Sequence, residues 1–134
     1  MPRVSGSFDV KLTPQQSGDK NADAVVGIMS IAKQFHGELE AASHGHMLAI
    51  GTEVKGSAGY VAMERVTGSL QGRAGSFALQ HSGTMNRGAP TLLVSVVPDS
   101  GTGALVGISG RLAIRIEEGG KHFYDFDFEL PPAG

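Results

Sequence analysis

Glu64 and His81 are the residues of this chain whose types and spacing best suit chemistry. They lie on either side of the polar, glycine-containing run Gln71-Gly72-Arg73-Ala74, which reads as a turn between two strands. If that run is a four-residue loop, Leu70 pairs with Gly75, Val66 faces Leu79, Gly68 faces Phe77, and Glu64 falls opposite His81. Cross-strand neighbours on one face lie about 4.5–5.5 Å apart at Cβ, close enough to interact. A carboxylate that orients an imidazole is a proton-handling pair, and Tyr60 shares the Glu64 face as a hydrogen-bond donor. The competing account is a buried polar pair that satisfies itself and fixes strand register.

Other groups invite weaker readings. His122 and Tyr124 alternate with Phe126 and Phe128 along one strand face. With Phe77 they suit the wall of an apolar pocket with a few convergent polar groups, although small barrels also fill their interiors with side chains alone. His44-Gly45-His46 places two imidazoles on one strand face, with Glu38 or Glu40 as a further ligand. No motif fixes a third ligand, so a solvated loop accounts for them and no metal site is assigned. His36 has no partner identifiable from sequence and is read as a surface residue. Ser100 lacks the Gly-x-Ser-x-Gly frame of a nucleophile elbow. Gly101-Thr102-Gly103 lacks the helix that a phosphate-binding loop requires. Asp125, Asp127 and Glu129 read as a solvated strand face whose charge discourages edge pairing.

Strands must position these groups. Residues 7–13 alternate Phe8, Val10 and Leu12 against Asp9 and Lys11, and Pro14 is expected to end that strand. Residues 15–24 read as a polar loop and 25–35 as a strand. Residues 38–50 are ambiguous, because 38–42 are good helix formers while Gly37, Gly45 and Gly51 favour short strands with bends. Loops are expected at 52–58 and 86–90, a strand at 91–97, a turn at 98–103 and a strand over 104–117. The last hairpin has its register set by polarity: a three-residue loop at Glu118-Gly119-Gly120 pairs Ile116 with His122, Ile114 with Tyr124 and Leu112 with Phe126. A two-residue loop would set charged faces against apolar ones.

Composition bounds the rest. The 134 residues suffice for one domain with its own core, and no boundary or repeat divides residues 1–134. There is no cysteine, which excludes disulfides, thiolate nucleophiles and cysteine-based zinc sites. Eleven Lys and Arg against 13 Asp and Glu give a net charge of −2, against the concentrated basic face of a nucleic-acid binder. No apolar run approaches the roughly 20 residues of a spanning helix, and no secretory signal is recognisable, so a cytoplasmic protein without membrane or nucleic-acid partners is expected. Apart from Gly119-Gly120, the 20 glycines occur singly and do not cluster as a linker, as bends and bulges do in a β-protein. About eight short strands with frequent turns predict an all-β, mainly antiparallel protein, with a single closed barrel favoured over a sandwich.

The run GYVAMERVTGSLQGRAGSFALQH at 59–81 resembles the signature of a bacterial family, domain of unknown function 3224. So do VPDSGTGALVGISG at 97–110, FHGEL at 35–39 and HFYDF at 122–126, so the resemblance spans almost the whole chain. It implies a small closed β-barrel related in fold to allene oxide cyclase. It implies no reaction and carries over no catalytic residue.

The expected function is therefore a barrel that binds an apolar or mixed-polarity small molecule, with cofactor-free acid–base isomerase, cyclase or lyase activity as its catalytic form. Glu64, His81 and Tyr60 would handle the proton; Tyr124, His122, Phe77, Phe126 and Phe128 would line the ligand. The alternatives are a binding module without turnover and a filled barrel acting through its surface, as a homodimer or larger homo-oligomer.

Overall fold

The structure, a computed structural model, describes residues 2–15 and 26–132. Eight strands run β1 (Arg3–Gln15), β2 (Val26–Phe35), β3 (Leu39–Gly51), β4 (Ala58–Leu70), β5 (Arg73–Asn86), β6 (Ala89–Val96), β7 (Ser109–Glu117) and β8 (Lys121–Glu129). Each pairs antiparallel with the next, and β8 returns to β1 to close a barrel. Period-two alternation dictates this arrangement: one set of side chains enters the barrel and the other faces out.

The β7–β8 register is the expected one, with Ile116 opposite His122, Ile114 opposite Tyr124 and Leu112 opposite Phe126. The β4–β5 register is corrected by two residues. The turn consists of Gln71 and Gly72 alone, both at positive φ (49° and 81°), and Leu70 pairs with Arg73. A two-residue turn of this kind carries the twist of the strands it joins, whereas a wider loop leaves two pairs unmade. The shift is even, so every side chain keeps its face. Val66 now lies opposite Phe77, Gly68 opposite Gly75, Glu64 opposite Leu79 and His81 opposite Ala62.

Other boundaries differ for local reasons. Pro14 does not end β1 but pairs with Met29. The β1–β8 ladder stops at Phe8–His122, so β1 is an edge beyond that point and tolerates a residue without an N–H. Residues 39–51 form one continuous strand and not short bent pieces, because Gly45 allows close approach. A Cβ there would strike the Met63 carbonyl oxygen and the Glu64 Cα. The 86–90 loop narrows to a turn at Arg87-Gly88, both at positive φ. Residues 104–108 are not strand: a short 3-10 turn, Gly103–Leu105, precedes β7. The loop expected at 15–24 lies, apart from Gln15 in β1, outside the described residues. Among the described residues no helix is long and apolar enough to cross a membrane.

The barrel interior divides into two halves. One is solid: Phe35, Leu39, Leu70, Phe77, Tyr124 and Phe126 are fully buried, with Phe77 stacked on Phe126 at 5.7 Å between centroids and Phe35 edge-on to Tyr124 at 5.5 Å. Such ring pairs add to the stabilisation from buried area. Leu105 and Ile108, from the segment between β6 and β7, seal this end. At the other end Leu12, Leu92 and Ile116 occupy inward positions yet are 45%, 43% and 68% exposed, so the mouth is open. The β6–β7 ladder contracts to a single pair, Ser95–Arg111.

Candidate functional site

Where the solid half meets the open half, four consecutive strands each contribute one buried polar side chain: Lys33 from β2, Ser43 from β3, Glu64 from β4 and His81 from β5. Glu64 is their centre. Its Oε1 accepts from Ser43 Oγ at 2.8 Å, and its Oε2 accepts from Lys33 Nζ at 2.9 Å and pairs with His81 Nε2 at 2.5 Å. Tyr60, four residues before Glu64 and on the same face, sets its hydroxyl 3.3 Å from His81 Nδ1. His81 reaches Glu64 along the diagonal of the β4–β5 ladder. Gly45, opposite Glu64 on β3, leaves the carboxylate's stem room against the sheet.

Electrostatics follow from this geometry. Burial alone would raise the Glu64 pKa, but the His81 hydrogen bond and the Lys33 charge outweigh it and hold the carboxyl at about 2. An ionised Glu64 needs a proton on His81 Nε2. In the neutral imidazole this leaves Nδ1 as an acceptor for the Tyr60 hydroxyl. Burial, and then the Glu64 charge, raises the Tyr60 pKa, so its hydroxyl keeps its proton at neutral pH. The result is an ordered chain from Tyr60 through His81 to Glu64, with the same logic as a nucleophile–imidazole–carboxylate triad.

This chain borders a cavity of about 330 Å³ in the barrel mouth. Its walls include Val10, Ile31, Met47, Leu92 and Ile114, and Lys33, Tyr60, His81 and His122 also line it. A second hollow of about 410 Å³, sharing Met47, Tyr60, Leu92 and Ile116, continues it toward the rim. Glu64 and Ser43 do not line either space; the carboxylate stands behind the groups that do.

The structure brings together Glu64, His81 and Tyr60, and adds His122, whose ring is tilted against Phe8 with centroids 5.3 Å apart, on the same cavity. Phe77, Phe126, Phe128 and Tyr124 lie elsewhere, in the solid half. The Tyr124 hydroxyl donates to the His36 carbonyl at 2.8 Å and accepts from the Leu39 amide at 3.3 Å, tying the β2–β3 turn to β8. Open walls belong instead to aliphatic residues nearer the strand ends. Sequence reasoning missed Lys33 and Ser43. Lys33 was detectable as a cation at an inward position between Ile31 and Phe35, and Ser43 as a hydroxyl between inward Ala41 and Gly45.

His44 and His46 lie in β3 and not in a loop, and both face solvent. Among the described residues no three His, Asp or Glu side chains form a metal-binding group. His36 does have partners: its Nε2 lies 3.0 Å from Asp9 and its Nδ1 3.6 Å from Glu40, and the Asp9 hydrogen bond raises its pKa. The acidic β8 face is paired outward, Asp127 with Arg3 at 2.6 Å and Asp125 with Arg115 at 2.7 Å.

Fold and site together define a small closed eight-stranded barrel with a buried lysine–glutamate–histidine cluster beneath an open apolar mouth. The chain belongs to the DUF3224 family, described as proteins of unknown function, whose family model matches residues 4–128. A crystal structure at 1.84 Å resolution of a protein with unknown function from this family, from Shewanella oneidensis MR-1, is 52% identical, with a TM-score of 0.90 over 99% of each chain. A search of the curated proteins found no match.

Proposed function

We propose that the barrel mouth binds a small, largely apolar molecule and that Tyr60, backed by His81 and Glu64, moves a proton on it. One observation carries this reading: an open aliphatic cavity ends on a half-buried phenol whose hydrogen-bonded chain leads to a buried carboxylate. A solid barrel would need no such chain at an exposed mouth. In the proposed step a ligand C–H proton passes to the Tyr60 oxygen while the Tyr60 proton passes to His81 Nδ1. Glu64 stabilises the imidazolium that forms, and the reverse transfer delivers a proton to a second carbon. The net reaction is an isomerisation that consumes nothing.

The test is deuterium incorporation into bound apolar ligands in heavy water. Exchange is expected with the intact protein and lost in Tyr60→Phe, while a ligand-induced rise in Tm persists. Ligands that bind without exchange would reduce the function to binding alone. Failure of any apolar ligand to raise Tm would refute the reading.

A second reading rests on the outer surface. Ile28, Leu48, Val61 and Leu93 fall in one cross-strand row interrupted only by Ser82, and Leu48, Val61 and Leu93 are 45%, 52% and 50% exposed. An exposed apolar band of this kind favours association, here with a second copy of the chain. Sedimentation of the intact protein and of Val61→Glu tests it: a dimer that the substitution dissociates supports it, and a monomer at micromolar concentration refutes it.

A further inference from the structure

Lys33 is more than a counter-ion to Glu64. Its side chain is only 6% exposed, yet it lines the mouth cavity, which Glu64 does not. An ammonium has three N–H donors. One reaches Glu64; among the described residues its remaining contacts are the faces of Phe8 and Phe35, at 5.3 and 5.9 Å from Nζ to the centroids, which attract a cation but supply no oxygen or nitrogen acceptor. The carboxylate, by contrast, is fully engaged: Ser43 takes one oxygen, and Lys33 and His81 share the other. The negative charge is turned into the wall, and unused donors of the positive one border the cavity. Surrounded by Val10, Ile31 and Ile114, such a donor gains far more from an acceptor than it would in water.

We infer that Lys33 is a ligand-binding residue, and that the mouth selects apolar molecules carrying a carbonyl or carboxylate oxygen, which docks on the Lys33 ammonium. This rests on the reading of the mouth as a binding cavity. It also deepens that reading, because an oxygen held at Lys33 would accept the charge that builds when Tyr60 removes a proton from the adjacent carbon. In a β,γ-unsaturated carbonyl ligand the electron pair of the broken α-C–H bond moves into the carbonyl, giving a dienolate beside a cation, and returns through the C=C bond, which shifts to the α,β position as the γ-carbon is protonated.

Three probes with ten- or eleven-carbon chains test it by calorimetry on the full protein: decanoate, 2-undecanone and decyltrimethylammonium. At least one of the oxygen-bearing probes is expected to bind, and the cation at least tenfold more weakly. Decanoate against 2-undecanone separates carboxylate from carbonyl recognition. Lys33→Met combined with Glu64→Gln, which removes both charges without leaving either buried alone, is expected to weaken the oxygen-bearing probe at least tenfold. Lys33→Arg is expected to retain it within a few fold. Equal binding of the cation, or undiminished binding in the folded double variant, would overturn the role of Lys33 and leave the cavity reading standing. Should the double variant not fold, the comparison of probes on the intact protein still decides. If none of the three probes binds, both readings fall.

Discussion

Glu64 and His81 meet at 2.5 Å across the diagonal of the β4–β5 ladder, although neither is the other's direct partner. The contact helps to hold an anion in the barrel interior, and the Lys33 ammonium on the same oxygen supplies its counter-charge. Buried charges survive only when paired and hydrogen-bonded, so this contact links the fold's stability to its chemistry.

Acid should therefore unfold the barrel through Glu64. Its carboxyl is held at about 2, below its ordinary value of 4.5. A depressed pKa contributes stability that is fully present above pH 4.5 and is lost as pH falls from there towards 2. The loss is on the order of 3 kcal/mol. Urea denaturation at stepped pH should show this slope, and Glu64→Gln should flatten it while lowering stability at neutral pH by about 3 kcal/mol, because Lys33 is left buried without its counter-charge.

Gly45→Ala should be disproportionately harmful for so small a change. The added methyl would meet the Met63 carbonyl and the Glu64 backbone, neither of which is the free end of a flexible side chain. A loss of about 2 kcal/mol is expected from forced separation of β3 and β4. Chemical denaturation measures it, and the imidazole NMR signals of His81 should shift in the same variant.

Tyr124→Phe tests the solid half. It removes the donor to the half-buried His36 carbonyl and the acceptor for the buried Leu39 amide, at a cost of about 1–3 kcal/mol. Thermal unfolding should show the drop without aggregation at room temperature.

Leu92→Trp should close the mouth. Leu92 borders both hollows of the cavity and is exposed enough for a larger side chain to enter without repacking the core. The variant is expected to retain its circular dichroism spectrum and its Tm in the absence of ligand, and to lose the rise in Tm on adding an apolar ligand.

The β4–β5 turn can be improved. Gln71 and Gly72 both adopt positive φ, the geometry in which Asn-Gly is preferred. Gln71→Asn should stabilise by about 0.5 kcal/mol, and Gly72→Ala should destabilise by about 1 kcal/mol. Midpoints of urea unfolding, compared pairwise, read both.

Much of this architecture was written in alternation. The period of two assigns Glu64, His81 and Tyr60 to one face whatever the turn, and polarity alone sets the β7–β8 register, because a slip of one residue would expose the apolar set. A slip of two exposes nothing. The sequence therefore determined which face Glu64 and His81 occupy, and only the backbone geometry at Gln71-Gly72 decided that they meet on a diagonal. Closure lay equally beyond local pattern. Lys33 joins Glu64 because β2, β3 and β4 curve round one interior, and Tyr124 and Phe126 fall in the sealed half because the segment carrying Leu105 and Ile108 covers that end. Side-chain parity is a property of a single strand. Depth within a barrel, and which polar groups share it, depend on the stagger of strands far apart in the chain, and only the tertiary structure supplies that.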